Sequence, residues 1–330
     1  TEIYTLSLHD ALPIFPANSR GLKRDSERDN LSPLRPWAFF AETERDAAGQ
    51  IVPVATIFLT NRECPWRCLM CDLWKHTLTE SVPPGAIPAQ IRHALERLTP
   101  QHSSPTFGHL KLYNSGSFFD PRAIPPADYP AIAELARDFE RVIVECHPAL
   151  VGERTLRFRD LLGRPLEVAV GLETVHPEVL AKLNKRMTLD QFRRAAEFLQ
   201  LHGLALRVFI LVKPPFLNEA EALRWAGRSL DFAFDCGATV AVLIPTRLGN
   251  GALEALAAQG LFSPPRLRAL EDALDYGVAL RRGRVFADLW DLEQFSTCPA
   301  CFAARKARLA DINRTQQPGP RVACGRCNGG

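Results

Sequence analysis

Three closely spaced cysteines carry the clearest chemical signal in this chain. They stand in the order C-P-W-R-C-L-M-C over residues 64–71, directly after the apolar, strand-like run 54–60. Fe–S clusters are held by cysteine thiolates, four for a closed [4Fe–4S] site, so three thiolates leave one iron open to another ligand. The C-x3-C-x2-C spacing therefore predicts that Cys64, Cys68 and Cys71 hold a [4Fe–4S] cluster, with a zinc site or a chance clustering of cysteines as the alternatives.

With this spacing the loop resembles the signature of the radical S-adenosylmethionine (SAM) superfamily. The resemblance implies that SAM chelates the open iron through its amino and carboxylate groups. It also implies that an electron from the cluster cleaves SAM to methionine and a 5′-deoxyadenosyl radical. The position before the third cysteine, usually aromatic and in contact with adenine, is Met70 here. Because a thioether can lie against a ring face, we expect Met70 to share the adenine contact with Trp66.

A second cysteine group lies near the C-terminus. It has the form C-x2-C-x22-C-x2-C and consists of Cys298, Cys301, Cys324 and Cys327. Two such pairs can close a tetrahedral four-thiolate site. We expect this site to hold Zn²⁺, and an auxiliary Fe–S cluster is the alternative.

The segment between 299 and 330 is strongly basic, with six arginines and lysines against the single acid Asp311. A cationic stripe beside a structural metal is typical of a surface that contacts nucleic-acid phosphates. We therefore expect Arg305, Lys306 and Arg308 to contact RNA. The alternative is a solvated helix face that only stabilises the metal site.

Composition sets the broad class. Hydrophobic residues make up 46% of the 330 residues and charged residues 23%, which is typical of a soluble globular protein. No run of eighteen or more apolar residues occurs, so no transmembrane helix and no membrane partner is predicted. A formal net charge of +3 does not by itself require a polyanionic partner. Nine cysteines without a secretory signal favour metal ligation in a reducing, cytoplasmic location.

Strand-like and helix-like segments alternate after the cysteine loop. Such alternation predicts a parallel sheet with helices outside. Together with the position of the loop, it resembles the α/β fold of radical SAM enzymes, a partial (β/α)6 TIM-like barrel. The predicted strands are 51–60, 109–113, 141–145, 166–170, 206–212 and 239–244, with 285–290 as a further candidate.

The chain divides into four predicted parts. Residues 1–14 resemble the translation of a sequencing-adapter oligonucleotide, and the chain begins without Met, as the open end of a metagenomic contig would. Residues 15–50 form a polar lead-in and the first arm of a hairpin. The barrel is expected over 51–290, and the basic metal-binding segment over 291–330.

In parallel barrels the working residues follow the C-terminal ends of the strands. The resemblance implies a Gly-rich turn that meets the SAM amino group after the second strand, here Asn114, Ser115, Gly116 and Ser117. After the next strand, we expect Glu145 to bond polar groups of SAM, whereas Cys146 is expected to be a core residue. Glu173 follows the fourth strand, where it is expected to accept from the SAM ribose hydroxyls.

Later strand ends add further candidates. Lys213 follows the fifth strand, and we expect it to pair with a carboxylate of SAM or substrate or with a phosphate; a solvated lysine is the alternative. Thr246, Arg247 and Asn250 follow the sixth strand as candidate substrate contacts. No residue is singled out as the hydrogen donor.

Several of these segments resemble one branch of the superfamily more closely. The runs 113–120, 171–174, 184–185, 213–216 and 244–246 look like those of the archaeosine-biosynthesis radical SAM group. That group is related to the radical SAM domains of the Elongator catalytic subunit and the tRNA methylthiotransferases. The resemblance covers roughly 51–327 and implies a tRNA base as substrate and a flavodoxin- or ferredoxin-like electron donor. The alternatives are a radical SAM enzyme acting on a small molecule or peptide with an auxiliary cluster, and a non-catalytic RNA-binding zinc protein.

Overall fold

A computed structural model of the chain describes residues 31–99 and 107–327. Within these ranges eight strands lie side by side in chain order in one sheet. The first two form an antiparallel hairpin, and each later strand pairs in parallel with its predecessor. The strands are β1 (Ala38–Arg45), β2 (Ile51–Phe58), β3 (His109–Tyr113), β4 (Arg141–Cys146), β5 (Leu166–Glu173), β6 (Ala205–Val212), β7 (Val240–Pro245) and β8 (Arg284–Ala287).

At least one helix follows each parallel strand, so the sheet curls into a half-barrel with its helices outside. This confirms the predicted α/β partial barrel. The helices are α1 (Ala86–Leu98), α2 (Tyr129–Leu135), α3 (Glu153–Leu162), α4 (Pro177–Lys182), α5 (Leu189–Leu201), α6 (Glu219–Asp235), α7 (Ala252–Ala258), α8 (Leu267–Ala279) and α9 (Pro299–Thr315). No helix in the described part of the chain is both long and apolar enough to span a membrane.

Local signals explain where the elements begin and end. The β1–β2 hairpin turns through Gly49, whose φ of 83° suits a residue without a Cβ. Helices α5 and α6 begin at Thr188 and Asn218, each part of a capping box with the residue three positions later. Gly203, at φ 67°, follows the end of α5, where a residue without a Cβ readily adopts left-handed backbone. The adapter-like segment 1–14 and most of the lead-in lie outside the described residues.

An ion network fills the barrel near the N-terminal ends of its strands. Arg207 on β6 donates to Glu44 on β1 and to Glu167 on β5. The Lys111 ammonium on β3 lies 2.7 Å from a Glu44 carboxylate oxygen and 2.9 Å from one of Glu42. All but Glu42 are buried. Because buried charges are tolerated only when paired, this network joins the hairpin to the middle of the sheet.

Helix α9 covers the free edge of β8. The Asn313 amide accepts from the Ala287 N–H and donates to the Ala287 carbonyl oxygen. Gln316 makes the same pair of bonds with Val285. Two side-chain amides thus occupy the positions that a ninth strand would occupy, which protects an edge that could otherwise pair with another chain. The helix begins at the first C-terminal cysteine pair, and the second pair follows its end.

Candidate functional site

The cysteine loop lies at the C-terminal end of the barrel and is bonded to two other loops. The Asn250 side chain, after β7, donates to the carbonyl oxygens of Leu69 and Cys71 at 2.7 and 3.3 Å. From the segment after α4, the Asn184 side chain donates to the carbonyl oxygens of Trp66 and Arg67 at 3.3 and 3.1 Å. In the structure Asn250 holds the loop, and the predicted substrate contact of this residue stays a prediction.

Sequence reasoning quoted Asn184 within a motif without giving it a function. Its φ of 54° is a possible signal, because asparagine is among the few residues that adopt left-handed backbone. A backbone bond from the Leu69 N–H to the Leu183 carbonyl oxygen, at 2.9 Å, reinforces the same contact. The loop and the segment 183–186 therefore form one unit.

The three cysteines of the loop are half-buried. Burial raises the pKa of Cys64 to about 12 and also raises the pKa values of Cys68 and Cys71. The nearby Lys185 ammonium acts in the opposite direction on Cys64 and Cys68. Since the thiolate is the metal ligand, metal binding to this loop must release protons.

The loop fits a cluster better than a single ion. Within residues 31–99 and 107–327, the only group of His, Cys, Asp or Glu ligand atoms within 4.8 Å of one another is the C-terminal cysteine group. The sulfurs of Cys64, Cys68 and Cys71 therefore do not converge as one zinc ion with Zn–S bonds of about 2.3 Å would require. Thiolates of a cubane bind separate irons, so three sulfurs that do not all meet at one point are compatible with a [4Fe–4S] cluster.

The turn after β3 lies directly against the cysteine loop. A Cβ added to Gly116 would lie 3.2 Å from the Cys64 Cβ, so only glycine fits here without displacement. Both polar atoms of the buried Asn114 side chain and the Ser115 hydroxyl have no hydrogen-bond partner. Because buried polar groups are nearly always satisfied, these atoms are suited to bonding a polar ligand. Ser117 instead accepts from the His147 N–H.

Glu145 holds this turn in place. Its carboxylate accepts from the backbone N–H groups of Asn114 and Gly116. Burial raises the pKa of Glu145 to about 7, although these bonds act to lower it. The predicted bond to SAM would thus have to share a carboxylate that already orders the turn.

Glu173 and Lys185 form a buried ion pair beside the loop. The Lys185 ammonium lies 2.6 Å from a Glu173 carboxylate oxygen. A Cβ on Gly171 would fall 2.2 Å from that oxygen and 2.5 Å from the ammonium, so the pair requires glycine at this point of β5. Glu173 lies at a sheet irregularity with φ 65°. Lys185 is itself buried, so its charge is used inside the protein.

The two residues predicted near adenine occupy different surroundings. The Trp66 ring stacks on the His147 ring, with centroids 3.9 Å apart and planes 14° from parallel. Burial and the neighbouring Lys185 lower the pKa of His147 to about 4, so this ring is neutral near pH 7. Met70 packs with Phe216 against two small apolar clusters.

Lys213 is not a free cation at the mouth. Its ammonium donates to Glu219, to the Ser263 hydroxyl and to the Pro264 carbonyl oxygen, at 2.8, 2.8 and 3.4 Å. These bonds engage all three of its N–H donors. The side chain is 4% exposed, so the predicted pairing with a carboxylate or phosphate is replaced by an internal role.

The other two candidates after β7 are also engaged internally. The buried Thr246 hydroxyl donates to the Val212 carbonyl oxygen at 3.1 Å. Arg247 donates to the Asp288 carboxylate and to the Trp290 carbonyl oxygen, both at 2.7 Å. Their contacts stabilise the loop between β7 and α7, and substrate contact stays a prediction for them.

The four C-terminal cysteines come together as a single group. Their sulfurs all lie within 4.8 Å of one another, with Cys298 and Cys324 3.9 Å apart and Cys301 and Cys327 3.7 Å apart. A tetrahedron with Zn–S bonds of about 2.3 Å has edges of about 3.8 Å. Hydrogen bonding from the Arg326 N–H lowers the pKa of Cys324 to about 7, which favours the thiolate. This arrangement can hold a metal ion.

The predicted RNA contacts beside these cysteines need correction. Arg305, 3% exposed, makes a bidentate pair with Glu271 of α8. Arg308 is buried against Asp275 of α8 and the carbonyl oxygens of 319 and 320. Exposed Lys306 lies 3.2 Å from Glu293. Tertiary contact with the acidic face of α8 neutralises this stripe, so the two arginines hold α9 on the barrel rather than extend toward a phosphate.

Comparison with known proteins places the chain among named relatives. No family model matches it. It is 28% identical over 229 residues to archaeosine synthase subunit beta of Methanosarcina acetivorans, covering 66% of this chain and 65% of that protein. An uncharacterized protein of Methanocaldococcus jannaschii is 26% identical over 265 residues, covering 77% and 72%. The chain thus spans just under two thirds of the named subunit.

Among solved structures, an N-terminally truncated Elp3 of Methanocaldococcus infernus has a TM-score of 0.52 and 16% identity, over 72% of this chain and 60% of that one. At this identity the match shows a shared fold. The archaeosine synthase beta subunits among the relatives confirm the predicted resemblance to the archaeosine-biosynthesis radical SAM group.

Proposed function

We propose that this protein is a radical SAM enzyme that modifies a base in tRNA. The observation that carries the proposal is the C-x3-C-x2-C loop of Cys64, Cys68 and Cys71 at the barrel mouth, which Asn184 and Asn250 hold in place. The similarity to archaeosine synthase subunit beta supports tRNA as the substrate class. A relative named as a subunit also favours a partner chain for this protein. The nine cysteines support a cytoplasmic location.

When bound, the cluster and SAM would supply reductive cleavage of SAM and with it a 5′-deoxyadenosyl radical, with electrons from a flavodoxin- or ferredoxin-like donor. The protein supplies orientation and shelter from water. Asn184 and Asn250 fix the loop that would hold the cluster. The unpartnered atoms of Asn114 and Ser115 would bind polar groups of SAM. Glu173 would accept from its ribose while Lys185 keeps that carboxylate in place.

We assign the C-terminal cysteines a structural zinc ion. Sulfur separations of 3.7 and 3.9 Å support a single tetrahedral ion over an auxiliary cluster, because a cubane spreads its thiolates over separate irons. Cys298 begins α9 and Cys301 lies in its first turn. The ion would therefore fix the start of the helix that covers β8.

The test is anaerobic reconstitution with iron and sulfide. Wild-type protein should gain the visible absorption of a thiolate-ligated cluster and release 5′-deoxyadenosine from SAM when reduced. Cys68→Ala should lose both. Cys236→Ala is the matched control, because that thiol is buried at the end of α6 and away from the loop. Full cluster content and SAM cleavage in Cys68→Ala would contradict the assignment. Mass spectrometry of tRNA nucleosides from cells with and without the gene tests the substrate.

A further inference from the structure

The rim of the barrel mouth carries four exposed cations that differ from those near the C-terminus. In the described part of the chain, no carboxylate forms an ion pair with them, whereas Arg305, Lys306 and Arg308 are all paired. We call this set the basic rim, and it consists of Lys182, Arg186, Arg224 and Arg228. Their charges are therefore available to an external anion.

Aromatic rings support three of these cations. The Lys182 ammonium lies 5.0 Å from the Phe216 ring centroid. The Arg224 and Arg228 guanidinium carbons lie 5.5 and 4.9 Å from the Trp225 ring centroid. Such cation–π contacts are worth only about 0.5–1 kcal/mol at exposed sites and leave the N–H donors free. The rings thus orient the cations without neutralising them.

The basic rim is continuous with the cysteine loop. Phe216 and Trp225 pack on the small apolar cluster that contains Val179 and Leu183. Leu183 accepts from the Leu69 N–H of the cysteine loop. A chain of direct contacts therefore leads from the metal-ligand loop through α4 to the first half of α6. An anion bound on the rim would lie beside the open end of the barrel.

The backbone of the rim is unusual in two places. Arg186 has φ 54° and Phe216 has φ 73°. Non-glycine residues in the left-handed region cost energy and persist where the surrounding structure imposes them, often at functional sites. At Arg186 this backbone conformation carries an exposed guanidinium. The residue lies two positions after Asn184, whose side chain binds the cysteine loop.

We propose that the basic rim binds the phosphate backbone of the RNA whose base enters the barrel. This proposal rests on the proposed tRNA substrate and identifies where its backbone lies. Unpaired cations beside partly exposed aromatic rings suit RNA, since cations neutralise phosphates and rings can stack on bases or pack on sugars. Phosphate contacts position a protein without reading sequence. The basic rim therefore binds the RNA backbone, whereas the interior of the barrel selects the base.

The experiment is a titration of bulk tRNA with the full-length, reconstituted protein at 50 and 200 mM salt. The rim variant combines Lys182→Glu, Arg224→Glu and Arg228→Glu, and it leaves the cysteine loop and Arg186 untouched. The control combines Lys306→Glu, Arg314→Glu and Arg326→Glu, an equal charge change near the C-terminus at two exposed positions and one partly exposed position. Thermal unfolding and visible absorption verify that each variant folds and holds its cluster.

Each lost phosphate contact should reduce the slope of log affinity against log salt by about 0.7–0.9. Three contacts correspond to a roughly 20- to 40-fold difference between the two salt concentrations, which the rim variant should no longer show. The control should bind like wild type. Charge-conserving changes, Arg224→Lys with Arg228→Lys, should retain binding, which separates charge from folding.

Two outcomes would overturn the proposal, and they differ in what they say about function. If the rim variant binds tRNA as wild type does, the basic rim does not bind the RNA backbone. The proposal that tRNA is the substrate is not affected by that result. The same holds if only the C-terminal control loses affinity. If wild-type protein shows no salt-dependent binding of tRNA, both the rim and the tRNA substrate fail, while SAM cleavage by the reconstituted protein would still stand on its own test.

Discussion

The side-chain amide of Asn250 donates a 2.7 Å hydrogen bond to the carbonyl oxygen of Leu69, across 181 positions of sequence. The same amide donates to Cys71, and its oxygen accepts from the N–H groups of Ala252 and Leu253 at the start of α7. One asparagine therefore joins the metal-ligand loop to the helix that follows β7. Its nitrogen serves the loop and its oxygen serves the helix, so the two functions can be separated by mutation.

Asn250→Asp should lower the cluster content of the protein. Aspartate still accepts from the α7 N–H groups, but it cannot donate to the carbonyl oxygens of Leu69 and Cys71. Losing two bonds worth about 0.5–1.5 kcal/mol each should loosen the loop. Iron and sulfide per chain after anaerobic gel filtration are the measurement.

Asn218→Asp is the control for this change. Asn218 caps α6, and its side-chain oxygen accepts from the Glu221 N–H, so aspartate conserves the bond. That variant should keep the iron content of wild type. Equal iron in both variants would show that the Asn250 donors do not position the loop.

The sequence predicts the barrel well because its signals are local. Strand-like runs, the hairpin around Gly49 and the helix closed by Gly203 depend on periodicity and turn chemistry within about a dozen residues. The metal-ligand spacing is also local, since Cys64, Cys68 and Cys71 lie in one loop. Such features can be recognised without knowing which distant residues they contact in the folded protein.

The expectations that the structure does not support concern charged residues whose partners are distant in sequence. Lys213 and Arg308 were expected at surfaces, but Ser263, 50 positions from Lys213, and Asp275, 33 positions from Arg308, engage them. One signal was available: Glu271 and Asp275 are four apart on α8, and Arg305 and Arg308 three apart on α9, so each pair occupies one helix face. An acidic pair on one helix face and a basic pair on a face of the next helix suggest that α8 and α9 pack together through these faces.

Glu44→Gln should lower the free energy of unfolding of the barrel. It should also make that free energy fall less than it does in wild type when the solution is acidified. Burial alone would raise the pKa of Glu44, but Arg207 and Lys111 more than offset this and hold it well below its ordinary value. The folded-state pKa is therefore depressed, and the stabilisation is present above the unfolded value of 4.5 and lost as pH falls below it. Removing one partner of a buried pair costs roughly 3–5 kcal/mol.

The measurement for this network is urea unfolding between about pH 3 and pH 7, a range that lies on both sides of an ordinary carboxyl pKa. The variant should be less stable near neutrality and should lose less stability than wild type as the solution is acidified. Glu134→Gln is the control, because that carboxylate is exposed and forms only a surface pair with Arg137. Parallel pH profiles for wild type and Glu44→Gln would contradict the ionised network.

Asn313→Ala should destabilise the edge of the sheet. It leaves the N–H and carbonyl groups of the buried Ala287 without their partners, which costs about 1–3 kcal/mol. Gln317→Ala, an exposed change just beyond α9, should alter stability by no more than about 0.5 kcal/mol. Unfolding in urea compares the two. Equal stability of Asn313→Ala and wild type would mean that α9 does not satisfy the β8 edge.

The C-terminal cysteines should retain zinc when the loop cysteines are removed. Protein with Cys64, Cys68 and Cys71 all changed to alanine should contain about one zinc per chain and little iron, as a closed four-thiolate site does. Since the site includes the first turn of α9, Cys327→Ser should lose the zinc and unfold at a lower temperature. Cys236→Ser, outside the group, is the control for metal content. Iron with sulfide in the triple variant would instead identify an auxiliary cluster, and the 3.7 and 3.9 Å sulfur separations would then have to widen on cluster binding.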